Sequence, residues 1–391
     1  MITYEEALKI IKENIIQLDT EKIELVNSLN RVLRENVYAD MNMPPFNKSA
    51  MDGFACRKED IKNELEIIES IQAGYKPQKI VGKNQCSKIM TGAEIPEGAD
   101  CVIIVEDVEY ITQNKIRYKK DNTSNNICYK GEDVKKGELL LTSGTRITEK
   151  EISSLAMSGK WNLIVSKKPK VGIISTGDEI VEPYEFPNSS QIRNTNAYQL
   201  IFQVEKFGCT PSYYGIIKDK EEEILPLISK AKEENDLMIL TGGVSMGEYD
   251  LIPGSLKKIG FNLLFQKVQQ QPGKPTVFGR DKNKFVFGMP GNPVSSFFVF
   301  EFFAKELLAG MLSFKNYYKE IQLELAVDYV RKRSERLGRI PIKIIDGKVF
   351  PIEYHGSAHI NSLLEADGIV SIPIGVQELK KGTIVNVRSI W

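Results

Sequence analysis

Between residues 169 and 312, short apolar runs alternate with helix-length amphipathic segments, a pattern that specifies an open α/β sheet. Residues 171–175 read as a buried strand, 196–207 as a helix closed by Gly208, and 211–217 as a second strand. A helix over 220–232 opens on acids, which suit the positive end of its dipole, and 237–241 reads as a third strand. A helix to about 259, a strand near 263–268 and a hairpin of 275–278 with 284–287 lead to a Gly-rich turn and a last helix. Three loops follow the strands: Ser175-Thr176-Gly177-Asp178-Glu179, Thr241-Gly242-Gly243-Val244-Ser245-Met246-Gly247 and Met289-Pro290-Gly291-Asn292-Pro293. Ligands of open α/β sheets bind at the carboxyl ends of strands, so these loops should line one crevice.

A chain of 391 residues is too long for a single core, and the pattern changes on both sides of the α/β segment. Residues 46–141 carry short β-rich runs, such as 101–105 and 139–141, between Gly, Pro and Asn turns. They read as a β-rich domain inserted into a helical linker domain made of 1–45 and 142–168. The α/β domain then spans 169–313. Over 314–391, the alternation in 321–327, the Asp346-Gly347 turn and the run 368–374 predict a small β-barrel or sandwich.

The N-terminus opens with Thr3-Tyr4-Glu5-Glu6 ahead of Ala7, Leu8, Ile11 and Ile15, a capping box and an amphipathic helix rather than a signal peptide. The most apolar stretch, 297–312, is interrupted by Glu301, Lys305 and Glu306 and reads as a buried helix, not a membrane span. Lys plus Arg and Asp plus Glu balance at 52 each, so no overall field favours nucleic acid or an anionic membrane. Five cysteines without ligand spacing fit reduced thiols, and a soluble cytoplasmic protein is expected.

Only two histidines exist, His355 and His359, and Gly356 and Ser357 between them argue for a surface loop rather than a helical metal pair. Chemistry before them must use carboxylates, lysines, hydroxyls and backbone amides, which points to phosphate or oxyanion handling with a hard metal. In residues 289–296, Asn292 can cap a helix, Pro293 suits its first position, and the free amides with Ser295 and Ser296 form an anion site; an ordinary well-capped helix would look the same. Three glycines within 241–247 allow close backbone approach to a ligand, yet match neither a P-loop nor a dinucleotide fingerprint. Gln269-Gln270-Gln271-Pro272-Gly273-Lys274-Pro275 sets a lysine on a tight turn, where it can meet a phosphate or simply face solvent. Asp52, Asp133, Asp178, Glu179 and Asp250 sit in loops or at element ends, where acids serve either Mg²⁺ or turn hydrogen bonds.

Pro45-Phe46-Asn47-Lys48-Ser49-Ala50-Met51-Asp52-Gly53-Phe54-Ala55 resembles the signature of the molybdopterin molybdenumtransferases. Ile89-Met90-Thr91-Gly92-Ala93, Pro96 with Gly98-Ala99-Asp100, Gly131-Glu132-Asp133, the three strand-end loops and Pro272-Gly273-Lys274-Pro275 follow in the order of that family. The resemblance covers nearly the whole chain. It implies transfer of molybdate onto adenylylated molybdopterin with loss of AMP, aided by Mg²⁺, by a homodimer, with the molybdopterin adenylyltransferase as a further partner. By motif match, Asp52, Thr91, Asp133, Glu179, Asp219 and Asp250 would be catalytic, and Asp52, Glu179 and Asp250 would take the metal. The α/β domain would be the molybdopterin-binding one. Thr176, Gly177, Asp178, Gly242, Gly243, Ser245 and Gly247 would hold the pterin and its phosphates. So would Pro290, Gly291, Asn292, Pro293 and Ser295, with Lys267 and the Pro272-Gly273-Lys274 turn offsetting their charge.

Two positions depart from many relatives: Cys128 replaces an arginine and Gln271 a lysine, leaving oxyanion affinity to Lys130, Lys267 and Lys274. Rival readings are the adenylyltransferase of the preceding step, against which the Ser49-to-Gly53 segment argues, a tungstate-specific paralogue, and a non-catalytic molybdopterin-binding scaffold.

Overall fold

The computed structural model describes residues 1–243, 251–352 and 359–390. The chain forms two compact units, one of Met1–Glu35, Ser143–Thr148 and Asn162–Trp391, the other of Asn36–Thr142 and Glu149–Trp161.

The larger unit is built on a six-stranded sheet ordered Thr210–Ile217, Lys170–Thr176, Leu237–Thr241, Lys284–Met289, Pro275–Asp281, Asn262–Lys267. The first four are parallel, Pro275–Asp281 runs against them, and Asn262–Lys267, antiparallel to Pro275–Asp281, runs with the first four again. Side chains alternate between two apolar layers: Ile173, Leu237, Ile239, Phe285 and Phe287 join one, and Ile174, Met238, Leu240 and Val286 the other. Burial on both faces explains why these strands read as continuous apolar runs. From Lys170–Thr176 the chain moves to a neighbour on one side and then returns to Leu237–Thr241 on the other. That reversal opens a crevice at the ends of the two central strands.

The flanking helices are Asn196–Lys206 and Glu221–Glu234; Gly208, at φ +88°, turns the chain after the first. At the N-terminus, Tyr4–Asn14 has its expected box, with Thr3 Oγ1 accepting from Glu6 N and Glu6 Oε2 from Thr3 N. The linker segments are not wholly helical: Thr20–Glu24 pairs antiparallel with Asn162–Ser166.

The apolar stretch expected as one helix is Pro293–Val299, a π-helical turn Phe300–Ala304, and Lys305–Leu312. Glu301 is buried within this stretch. It is 3% exposed and accepts from Lys305 Nζ at 2.5 Å and Gln203 Nε2 at 3.0 Å, so pairing permits its burial.

The C-terminal strands Glu320–Leu325, Leu337–Ile345, Lys348–Pro351, Gly368–Ile372 and Ile384–Ser389 close into a five-stranded barrel through the pairing of Leu337–Ile345 with Gly368–Ile372. Its interior holds Leu325, Ile340, Ile342, Val349, Val370, Ile372, Val385 and Val387. Asp346 and Gly347, both at positive φ, make the tight hairpin expected of that dipeptide.

The smaller unit carries a six-stranded sheet ordered Cys101–Ile104, Gly53–Cys56, Gln85–Ile89, Glu64–Ile71, Lys115–Tyr118, Val108–Thr112. Phe54, Leu65, Ile103 and Ile116 are core residues with Cys56, Cys86 and Cys101. All five cysteines are unbridged. No helix among the described residues is long and apolar enough to cross a membrane.

Candidate active site

Three of the expected loops meet at the crevice of the α/β sheet. A Cβ on Gly242 would collide with the carbonyl oxygen of Thr176, so the two strand ends approach as only glycine allows; Gly242 also has φ +89°. A Cβ on Gly243 would stand 3.0 Å from Thr176 Oγ1 and 3.8 Å from Asp219 Oδ1, and one on Gly291 3.8 Å from the Gly242 Cα. Thr176, Gly242, Gly243, Gly291 and the half-buried Asp219 thus share one place. Glu179 folds back over Gly177, with its Oε2 2.5 Å from where a Cβ of Gly177 would be, while Asp178 and Glu179 remain exposed.

A buried polar network supports this floor. Ser175 Oγ donates to Asn194 Oδ1 at 3.1 Å, Thr241 Oγ1 lies 3.3 Å from Ser175 Oγ, and Thr176 Oγ1 donates to the Thr241 carbonyl at 3.3 Å. Asn194 Oδ1 also caps the following helix at Ala197 N, and its Nδ2 donates to Tyr213 Oη, whose hydroxyl donates to Glu182 at 2.6 Å. Burial and that carboxylate push the Tyr213 phenol above its ordinary range, so it stays a donor. Asn196 Nδ2 holds the Gly291 carbonyl at 2.7 Å. Neither Asn194 nor Asn196 was among the expected site residues; two asparagines bracketing a helix start were the available signal.

At the last loop, Pro293 opens the helix as expected, and Ser295, in its first turn, is buried. Asn292 occupies the cap position with extended backbone, but its side chain makes no capping hydrogen bond; the Asn292 carbonyl instead accepts from Ser296 N at 3.0 Å. Pro290 is buried and Gly291 exposed. Lys267 and Lys274 lie at the open end of the adjoining strands, where Lys267 is paired with Pro275 across the sheet and Val268 N donates to the Lys274 carbonyl at 3.0 Å, closing the Pro272-Gly273 turn.

In the smaller unit, the exposed Asp52 sits immediately before Gly53–Cys56, and its Oδ1 accepts from Thr91 N at 2.6 Å and Thr91 Oγ1 at 2.8 Å. These two bonds, the backbone one first, hold the Asp52 carboxyl below its ordinary range. Gly92 N donates to the Ser49 carbonyl at 2.8 Å, fixing the Thr91 turn beside the Asp52 strand. Asp133 is exposed and follows the Gly131 turn, where Gly131 N donates to Pro44 O and Asp133 N to Met43 O. Cys128 pairs with Lys48 on neighbouring strands.

Val244, Ser245, Met246, Gly247, Asp250 and His355 lie outside the described residues. His359 is exposed, at the start of the short helix Ile360–Leu363. A cavity of about 400 Å³ on the barrel, lined by Lys343, Phe350, Pro351 and Ile352, takes in none of the motif residues.

The chain matches the MoeA N-terminal region (domain I and II) over residues 2–159, the probable molybdopterin binding domain over 172–310, and the MoeA C-terminal region (domain IV) over 324–390. It is 34% identical to the molybdopterin molybdenumtransferase of Staphylococcus epidermidis, over 99% of this chain and 95% of that protein. It is 33% identical to that of Bacillus subtilis, over 100% and 94%. The crystal structure of a molybdopterin biosynthesis moeA protein from Pyrococcus horikoshii superposes with a TM-score of 0.84 at 34% identity, covering both chains completely. Full-length likeness in sequence and in fold shows that the chain belongs to the MoeA family.

Proposed function

We propose that the chain acts in molybdenum cofactor biosynthesis as a molybdopterin molybdenumtransferase, placing molybdate on adenylylated molybdopterin with release of AMP. The observation that carries this reading is the convergence of Thr176, Gly242, Gly243, Gly291 and Asp219 at the switch point of the α/β sheet. Backbone amides of such loops suit phosphate oxygens, and Lys267 and Lys274 add positive charge at neighbouring strand ends. The pterin and its phosphates are assigned to these loops, from Thr176 to Asp178, Gly242 to Gly247, Pro272 to Lys274 and Pro290 to Ser295.

Mg²⁺ suits exposed carboxylates such as Asp52 and Glu179. Among the described residues no three His, Cys, Asp or Glu side chains form a ready metal cage, and Mg²⁺ needs none, since it takes one or two carboxylates with waters and substrate phosphate. Asp52, Glu179 and Asp250 are assigned to it. Both Thr91 bonds fall on Asp52 Oδ1, which orients the carboxylate and keeps it ionised. Bound there, the metal would neutralise pyrophosphate charge. The protein's own part is positioning: Thr91 aligns Asp52 and Asn196 sets the Gly291 loop. Orienting the attacking oxygen is assigned, by the family resemblance alone, to Asp133 and Asp219. No covalent enzyme intermediate is required.

The active species is a cytoplasmic homodimer that receives its substrate from the molybdopterin adenylyltransferase. Incubating the purified chain with adenylylated molybdopterin, Mg²⁺ and molybdate tests the reading: AMP and a molybdenum-loaded pterin should appear together. Adenylate bound but left intact would count for a scaffold instead.

A further inference from the structure

The turn that presents Lys274 is held by the C-terminal barrel. Between Lys267 and Pro275 the chain leaves the α/β sheet, and Gln270–Gln271 adds to the edge of the barrel strand Leu337–Ile345 in parallel register, with Gln270 opposite Leu337 and Gln271 opposite Gly338. Leu337 N donates to the Gln269 carbonyl at 3.0 Å. Gln270 is fully buried, and its amide faces both ways: Nε2 donates to the Gly273 carbonyl at 3.2 Å, while Oε1 accepts from Arg339 Nε at 3.4 Å. The seat is tight, since a Cβ on Gly273 would meet Gln270 Nε2 at 2.7 Å and Val299 Cγ2 at 3.0 Å.

Arg339 is an unusual anchor. It is 2% exposed, with its guanidinium 3.4 Å from the Phe302 ring centre and 4.2 Å from that of Tyr4. Gln270 and Ser371, to which it donates, are neutral. A guanidinium buried between rings with neutral partners has few orientations open to it, so whatever it holds is held in one place. Phe302 belongs to the π-helical turn, and Arg388 also lies over its ring and donates to the Glu301 carbonyl at 2.7 Å.

We propose that Arg339 is a positioning residue for the Pro272-Gly273-Lys274 turn, acting through Gln270, so that the barrel sets where Lys274 stands. This rests on the reading of Lys274 as a phosphate-binding group. A rigid turn spares the substrate the cost of ordering it, so loss of the relay should appear in binding rather than in turnover.

The test compares Gln270→Met, Lys274→Ala and the double variant by steady-state AMP release from adenylylated molybdopterin, with thermal unfolding alongside. Thr276 Oγ1 also donates to the Gly273 carbonyl at 2.7 Å, so Gln270→Met leaves that oxygen paired and should fold. The expected result is a KM raised about fivefold with kcat within about twofold, and a double variant no worse than Lys274→Ala. Arg339→Lys, which keeps charge but loses the planar fork, should reproduce the KM change if it folds. A normal KM for Gln270→Met beside a raised KM for Lys274→Ala would overturn the positioning role alone, as would effects that multiply in the double variant. A normal KM for Lys274→Ala would overturn both it and the reading of Lys274.

Discussion

Asn196 Nδ2 donates to the Gly291 carbonyl at 2.7 Å, so the start of one helix of the α/β unit fixes the turn that starts another. Asn196 is 5% exposed, and the strand-end glycines crowd the same turn. Asn196→Ala should cost about 1 kcal/mol of stability. It should also raise the KM for adenylylated molybdopterin roughly tenfold, because a displacement near 1 Å in a binding loop is costly. Asn196→Asp cannot donate and sets a negative charge beside a carbonyl, so its KM should be higher still; steady-state kinetics on both variants decide this.

Thr91 offers Asp52 two hydrogen bonds, and only one of them needs the side chain. Thr91→Val should therefore keep a folded enzyme and reduce kcat/KM by about tenfold, the usual worth of one bond to a charged group. The Mg²⁺ concentration for half-maximal rate should rise. Because the folded-state pKa of Asp52 is lowered from 3.8, its contribution to stability is present above that value and lost as pH falls through the lower one. A pH-rate profile should accordingly show no acid limb from Asp52 above about pH 4.

Gly242 has no room for a side chain and sits at φ +89°. Gly242→Ala should destabilise the chain by about 3 kcal/mol or more, since backbone strain and a clash with the Thr176 carbonyl add. Gly74, at a similar φ of +89° with open space around it, supplies the control. Gly74→Ala should cost only about 1 kcal/mol in a denaturant titration.

The buried Glu301–Lys305 pair predicts an asymmetry. Burial holds Lys305 below its ordinary range despite the carboxylate beside it. Lys305→Met should cost about 3–5 kcal/mol by leaving Glu301 uncompensated, while Lys305→Met with Glu301→Gln should recover most of that loss. Equal losses in the single and double variants, measured by calorimetry, would contradict the pairing.

Much of this was legible before the structure because it depends on local chemistry. Strands such as Leu237–Thr241 announced themselves by continuous apolar residues, and the Asp346-Gly347 turn by its demand for positive φ. The glycines of the strand-end loops pointed to close backbone approach, and Gly242 against Thr176 is such a contact. Features made by distant residues were not legible. The alternation predicts a small C-terminal barrel or sandwich, but not that Gly338 pairs with Ile372 to close it, nor that Gln270 meets Arg339 across 69 positions. The π-helical turn holds no proline or glycine to announce it, and Glu301 is buried against Gln203, 98 positions away. Asn292 carried the right residue type for a cap, but the Gly291 turn is fixed from outside by Asn196.

The most direct test is a molybdate titration of AMP release from adenylylated molybdopterin at saturating Mg²⁺, with Asp52→Asn and Glu179→Gln beside the unaltered chain. Both substitutions keep shape and remove charge. AMP release that rises with molybdate and saturates, and that falls by at least about a hundredfold in each variant, is the result expected of a transferase using these carboxylates. AMP release that ignores molybdate, or that survives both substitutions, would contradict it.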